Sequence, residues 1–134
     1  MNQKGFTLIE LLTVMAVAIV LLGVGIPGFR ALMTSNQLTS TSNDLVTSLN
    51  IARQEAVTRG EPVSVCPSSD GTACSGGTDW TVGWMVFVDN GTTAGSFDGG
   101  DTQLRVHGAI DGGSTITGDS VVRYTAWGAL DQAF

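Results

Sequence analysis

The sequence predicts an α+β protein: a long N-terminal α-helix, apolar in its first half, packed on a small antiparallel β-sheet. Three observations predict it. Phe6–Ile26 reads FTLIELLTVMAVAIVLLGVGI, an apolar run of 21 residues whose one charge is Glu10. Leu38, Leu45, Leu49, Ala52 and Ala56 then recur at helical spacing. After Pro62 the pattern turns to short alternating strands separated by Gly- and Asp-rich turns. With 134 residues, the chain has room for one domain of ordinary size.

The apolar run sets the first element. At ~1.5 Å per residue, a helix of that length reaches roughly 30 Å, the thickness of a bilayer core. Lys4 is the only charge before it, which predicts that this end starts in the cytoplasm and the rest is translocated. A cleaved secretory signal usually has an apolar stretch of ~7–15 residues followed by a small-residue cleavage site. Here the stretch is longer, holds a carboxylate near its start, and is followed by no such site.

Past the run, Gly23, Gly25, Pro27 and Gly28 weaken helix, each Gly by roughly 1 kcal/mol and Pro by about 3. A kink or a locally melted turn is expected there, where water at the bilayer edge could satisfy freed backbone groups. The amphipathic pattern then resumes to Arg59-Gly60-Glu61-Pro62, a cation–Gly–Pro stop signal. One helix from Phe6 to Arg59 would be ~80 Å long. No soluble core needs such a rod. The expected strands are Pro62–Pro67, Trp80–Asp89, Gln103–Ile110 and Ser120–Ala126, with the Leu45–Ala56 stripe against one face of their sheet. Trp80, Trp84 and Val86 fall on one side in alternation, and tryptophans of this kind, Trp127 included, are more often core than binding face.

Lys4-Gly5-Phe6-Thr7-Leu8-Ile9-Glu10-Leu11-Leu12 resembles the leader junction of type IV pilins and type II secretion pseudopilins. The resemblance implies cleavage by prepilin peptidase between Gly5 and Phe6 and N-methylation of Phe6. It also implies pairing of Glu10 with the N-terminal amine of a neighbouring subunit. The physics of Glu10 agrees. A carboxylate costs roughly 2.5–3.5 kcal/mol at the centre of a membrane helix, so it needs a partner. Glu10 also lies one turn from Phe6, near the positive end of the helix dipole. Further on, ARQEAVTRGEPVSVCPSSDGTAC and WTVGWMVFVDNG are similar to the minor pilin and pseudopilin group GspH/FimT/FimU. The match runs from Phe6 to about Arg105 and weakens in the tail. Members often carry a further C-terminal stretch with its own cysteine.

The resemblance implies a pilin fold in four parts: a leader (1–5), a transmembrane and assembly half-helix (6–28), an amphipathic half-helix (29–60) and a periplasmic β domain (61–134). The expected location is the inner membrane, then a filament. The expected partners are other major and minor pilins or pseudopilins and prepilin peptidase. Cys66 and Cys74 would sit in the oxidising periplasm, where a structural disulfide is expected. Their spacing is not the C-x-x-C of oxidoreductases.

Other classes are disfavoured. No enzyme activity, catalytic residue, cofactor or metal is expected. His107 is the only histidine, and no nucleophile-elbow or phosphate-loop sequence is present. Asp89, Asn90, Asp98 and Asp101 crowd one loop but lack EF-hand spacing, and Asx–Gly runs are ordinary turn chemistry. The formal net charge is −6, and removing the leader also removes Lys4. Some FimT-like relatives bind DNA through basic residues near a C-terminal Gly-Arg pair. Here Trp127-Gly128-Ala129-Leu130-Asp131 stands at the comparable place. Nucleic acid binding would therefore require Arg53, Arg59, Arg105 and Arg123 to cluster in space.

Overall fold

The computed structural model describes residues 5–110 and 115–131. The chain divides into two compact units, Met1–Gln37 and Leu38–Phe134. The secondary elements are α1 (Leu8–Arg59), β1 (Val63–Pro67), β2 (Trp84–Val88), β3 (Thr102–His107) and β4 (Val122–Tyr124).

In the first unit α1 carries apolar residues on all sides, and none of the described ones is buried. Leu8, Ile19 and Val24 are 78%, 70% and 75% exposed. A helix apolar all round finds its partners outside its own chain. Leu8–Ile26 is long and apolar enough to cross a membrane. Of the kink or melted turn expected near Gly23, Gly25, Pro27 and Gly28, the melted turn is not formed: α1 is continuous through all four. Glycine and proline lower helix stability without forbidding helical torsions. An unwound turn next to an apolar run leaves backbone groups without partners.

In the second unit α1 ends as the sequence predicts. Gly60 has φ +67°, and the N–H groups of Gly60 and Glu61 both donate to the Ala56 carbonyl, at 3.0 and 3.3 Å. This is a glycine-capped Schellman turn. Arg59 and Glu55 pair one turn apart at 2.6 Å. The four strands form one antiparallel sheet in the order β3-β2-β1-β4.

Every residue of β1 and β2 is buried, so both faces of the sheet centre are covered. On one face Val63, Val65, Trp84, Val86 and Val88 meet Ala52 and Ala56 of α1, with Leu45 and Leu49 packed alongside. The Trp84 indole N–H donates to Ser48 Oγ at 3.0 Å, which satisfies the one polar atom this ring brings into the core. On the other face Cys66, Met85 and Phe87 lie under Cys74, Phe97 and Val121. Three connections supply this second cover, one after each of β1, β2 and β3, where the sequence pattern predicts only the helix-side layer.

The strands are shorter than expected. β2 starts at Trp84 because Trp80–Gly83 makes a turn: the Gly83 N–H donates to the Trp80 carbonyl, and Gly83 has φ +102°. A Cβ at Gly83 would strike the backbone of His107 and Gly108, so only glycine fits between these strands. Trp80 still joins the core, from the turn rather than from the strand. Trp127 does not: it is 82% exposed.

Candidate assembly site

Glu10 sits in the first turn of α1 and is tied to Thr7. Its Oε2 accepts from the Thr7 backbone N–H at 3.0 Å and from the Thr7 hydroxyl at 2.9 Å. The Glu10 N–H donates back to Thr7 Oγ1 at 3.3 Å. Thr7-Leu8-Ile9-Glu10 is thus a capping box, in which residue and helix end satisfy each other's orphan groups. The T-x-x-E signature was available in the sequence and announces this cap directly. The carboxylate is held at the N-terminal end of the helix, beside the backbone of the residue that follows Phe6. Gly5 and Phe6 precede the helix, and Phe6 is 82% exposed. Lys4 lies outside the described residues. An exposed Gly5–Phe6 segment is thus followed by a capped carboxylate and an all-round apolar helix.

In the second unit Cys66 and Cys74 are joined by a disulfide. The loop it closes folds tightly on itself. Ser68 Oγ donates to the Ala73 carbonyl at 2.6 Å and accepts from the Gly71 N–H at 3.0 Å. The loop also reaches β3, where Gln103 Nε2 donates to the Gly71 carbonyl at 2.8 Å.

The acidic residues of the 89–101 loop do not converge. Asp89 is buried, and its Oδ2 accepts from Ser64 Oγ at 2.6 Å, Gly95 N–H at 2.8 Å and Arg123 Nε at 2.7 Å. Asp98 accepts from the backbone of Thr92, Thr93 and Gly100, and Asp101 from that of Gly91 and Asp98. These carboxylates bond turn amides, which is the use that Asx–Gly loops ordinarily make of them. Asn90 is exposed at the start of the loop. Among the described residues no group of three His, Cys, Asp or Glu side chains is placed to hold a metal ion.

The arginines are dispersed. Arg59 is paired with Glu55, and Arg123 with Asp89 and with Asp131, the latter at 2.7 Å. Arg105 is on β3 and Arg123 on β4, the two opposite edges of the sheet. His107 stacks on Trp84 with ring centroids 3.9 Å apart, and its Nε2 lies 3.7 Å from Asp44 Oδ2. It is a packing residue between β3 and α1. A cleft of about 650 Å³ beside β4 includes Leu49, Tyr124 and Leu130 and the bonded pair Arg123–Asp131.

Comparison with known proteins agrees with this geometry. The family described as type II transport protein GspH matches residues 41–134. The prokaryotic N-terminal methylation motif matches residues 1–26. Among solved structures the chain is similar to the type IV minor pilin FimU of Pseudomonas aeruginosa. Identity is 24% and the TM-score 0.50, over 72% of this chain and 65% of that one. That likeness concerns the fold, and this chain spans less than two thirds of FimU's length. No curated protein matches the chain. An N-terminal methylation motif that takes in the apolar helix, and an α+β unit matched from residue 41 onward, place the chain in the GspH family of minor pilins and pseudopilins.

Proposed function

We propose that this chain is a minor pilin of a type IV pilus. Prepilin peptidase cuts after Gly5 and methylates Phe6, and the subunit waits in the inner membrane with its β domain in the periplasm. It then enters the filament through α1, in a priming or tip complex that starts assembly. The observation carrying this reading is the pairing of a capped Glu10 with an apolar helix exposed on every side. In the membrane Thr7 satisfies the carboxylate. In the filament the neighbour's N-terminal amine offers it an ionic partner, and the exposed apolar side chains exchange lipid for other helices. Gly23–Gly28 would be the place where the helix loosens once it leaves the bilayer. The family's description as a type II transport protein supports a second reading, a minor pseudopilin of a type II secretion system. A third, DNA capture by the filament, has only the dispersed arginines to draw on.

Mass spectrometry of the N-terminal peptide tests the proposal, applied separately to inner membranes and to filaments sheared from the cell surface. N-methylated Phe6 in both fractions, scarce in filaments, is the expected result. The same peptide in membranes alone would move the protein to the pseudopilus. An unprocessed Met1 would overturn both. Glu10→Ala is expected to leave processing intact and to remove the protein from the filament fraction.

A further inference from the structure

Trp127 is the largest exposed side chain of the second unit, and its position is built rather than incidental. It lies in a turn between β4 and residues 129–131. The Gly128 N–H donates to the Thr125 carbonyl at 2.8 Å, and the Thr125 N–H donates to the Ala129 carbonyl at 2.8 Å. The Ala129 N–H also bonds Thr125 Oγ1 at 3.2 Å. Gly128 has φ +75° and closes the turn as a bulge glycine. Gly128 is buried against α1, so close to it that a Cβ there would meet Val57 Cγ2 at 2.7 Å and Arg53 at 3.4 Å. The tryptophan is therefore held out to solvent by a hairpin anchored on a helix.

Among the described residues the side chains around this anchor are also exposed. Val57 and Leu130 are 55% and 56% exposed, and Val46 is 56% exposed. Val46, Arg53 and Val57 are spaced by seven and four residues, so they share one face of α1. Arg53 is exposed, and among the described residues it has no ion-pair partner. A rigid aromatic anchor beside apolar residues and one exposed guanidinium is the composition of an interface hot spot.

Charge and area choose the occupant. Residues 38–134 carry eleven carboxylates and four arginines. A second copy, nucleic acid or an anionic lipid surface would meet that field with like charge. A tryptophan and three aliphatic side chains also fall well short of the ~800 Å² per partner that a free-standing complex buries. Such a contact gains strength only when another attachment already holds the two proteins together. We infer that the Trp127 turn, with Arg53 and Val57, docks on the globular domain of a different subunit in the same filament. The matching surface is an apolar socket for the indole with a carboxylate placed for Arg53. This rests on the proposed filament function.

The test places a benzophenone photo-crosslinking amino acid at position 127 of the full chain, in cells that assemble filaments. Ser69, exposed in the disulfide loop, is the control position. The expected product is an adduct with a different chain, identified by mass spectrometry as beginning with an N-methylated residue and an apolar helix. Its yield should fall about tenfold when Arg53→Glu is added, with the thermal midpoint unchanged. An adduct with a second copy, with nucleic acid or with lipid would overturn the inference. So would the same partner captured equally from position 69, or no adduct in filaments that contain the processed chain. In that last case the filament function stands and the docking surface alone falls. A chain that is never cleaved after Gly5, or never found in filaments or pseudopili, removes both.

Discussion

The two units use apolar residues in opposite ways. In Met1–Gln37 the large aliphatic side chains described are all at least half exposed, from Ile26 at 50% to Leu8 at 78%. In Leu38–Phe134 the core residues Val63, Val65, Val86 and Phe87 are 0% exposed. The second unit closes its own core, so its apolar pattern has gaps and alternations. The first closes none, so its pattern has no polar face at all. An apolar surface of that size is stable only against lipid or other helices. Hence the second unit should respond to core and loop substitutions as a globular domain does. The first should respond only at its helix cap and at whatever it binds.

The largest expected effect is at Trp84. Trp84→Ala removes a ring that is 1% exposed, stacks on His107 and bonds Ser48. A cost of about 3–5 kcal/mol is expected for such a truncation. Thermal unfolding of the full chain in detergent, followed by near-ultraviolet circular dichroism, should show the second unit's transition collapse. The far-ultraviolet signal of the apolar helix should survive it. Simultaneous loss of both would mean the two units do not unfold separately.

Next is the disulfide. Cys66→Ser combined with Cys74→Ser opens a short loop, for which the chain-entropy model gives roughly 2–3 kcal/mol. The loop covers Met85 and Phe87, so the loss should appear as faster amide exchange on the Cys66–Phe87 face while the helix-side face stays protected. Uniform loosening of both faces would show that the disulfide stabilises the whole unit instead.

These two sites also show what the sequence discloses. The helix-side layer was legible because it is periodic: Leu45, Leu49, Ala52 and Ala56 repeat at helical spacing and meet alternating strand residues. So was the cysteine pair, from compartment alone. The second layer was not, because Cys74, Phe97 and Val121 reach the sheet from irregular loops that carry no period. The start of β2 was misplaced for a related reason. Trp80 and Val82 look like strand residues, but Gly83 is pinned between His107 and Ser68, a contact distant in sequence. At the assembly site Glu10 was legible as a carboxylate in a membrane-spanning apolar run. The neighbour that solves it within one chain, Thr7, needed the capping rule to be applied to a membrane helix.

A smaller effect is expected at that cap. Thr7→Val keeps the shape and removes the hydroxyl that donates to Glu10 Oε2 and accepts from the Glu10 N–H. Loss of an N-cap side chain costs on the order of 1 kcal/mol. Amide exchange in detergent micelles should quicken in the first turn of α1 alone. Thr7→Ser should restore the protection. Unchanged exchange in Thr7→Val would mean the backbone bond from Thr7 N–H suffices to hold the carboxylate.

The smallest effect is electrostatic and belongs to the second unit's loops. The Thr92 hydroxyl, and then the N–H groups of Gly100, Thr93 and Thr92, hold the Asp98 carboxyl below its usual 3.8. The Thr72 N–H does the same for Asp70, and the Thr81 hydroxyl for Asp79. Hydrogen bonds to the ionised form lower each of these values in the folded state. Stability from such a group is fully present above its unfolded pKa, and it disappears as pH falls through the folded one. The midpoint of thermal unfolding should therefore stay level from neutral pH to about 5 and decline below about 4. Asp98→Asn should lower the midpoint at pH 7, because an amide oxygen replaces a charged acceptor at four donors. The gap between variant and parent should then close as the parent is acidified, since a protonated Asp98 loses the same advantage. A gap that stays constant down to pH 2.5 would assign the role of Asp98 to loop shape rather than to charge.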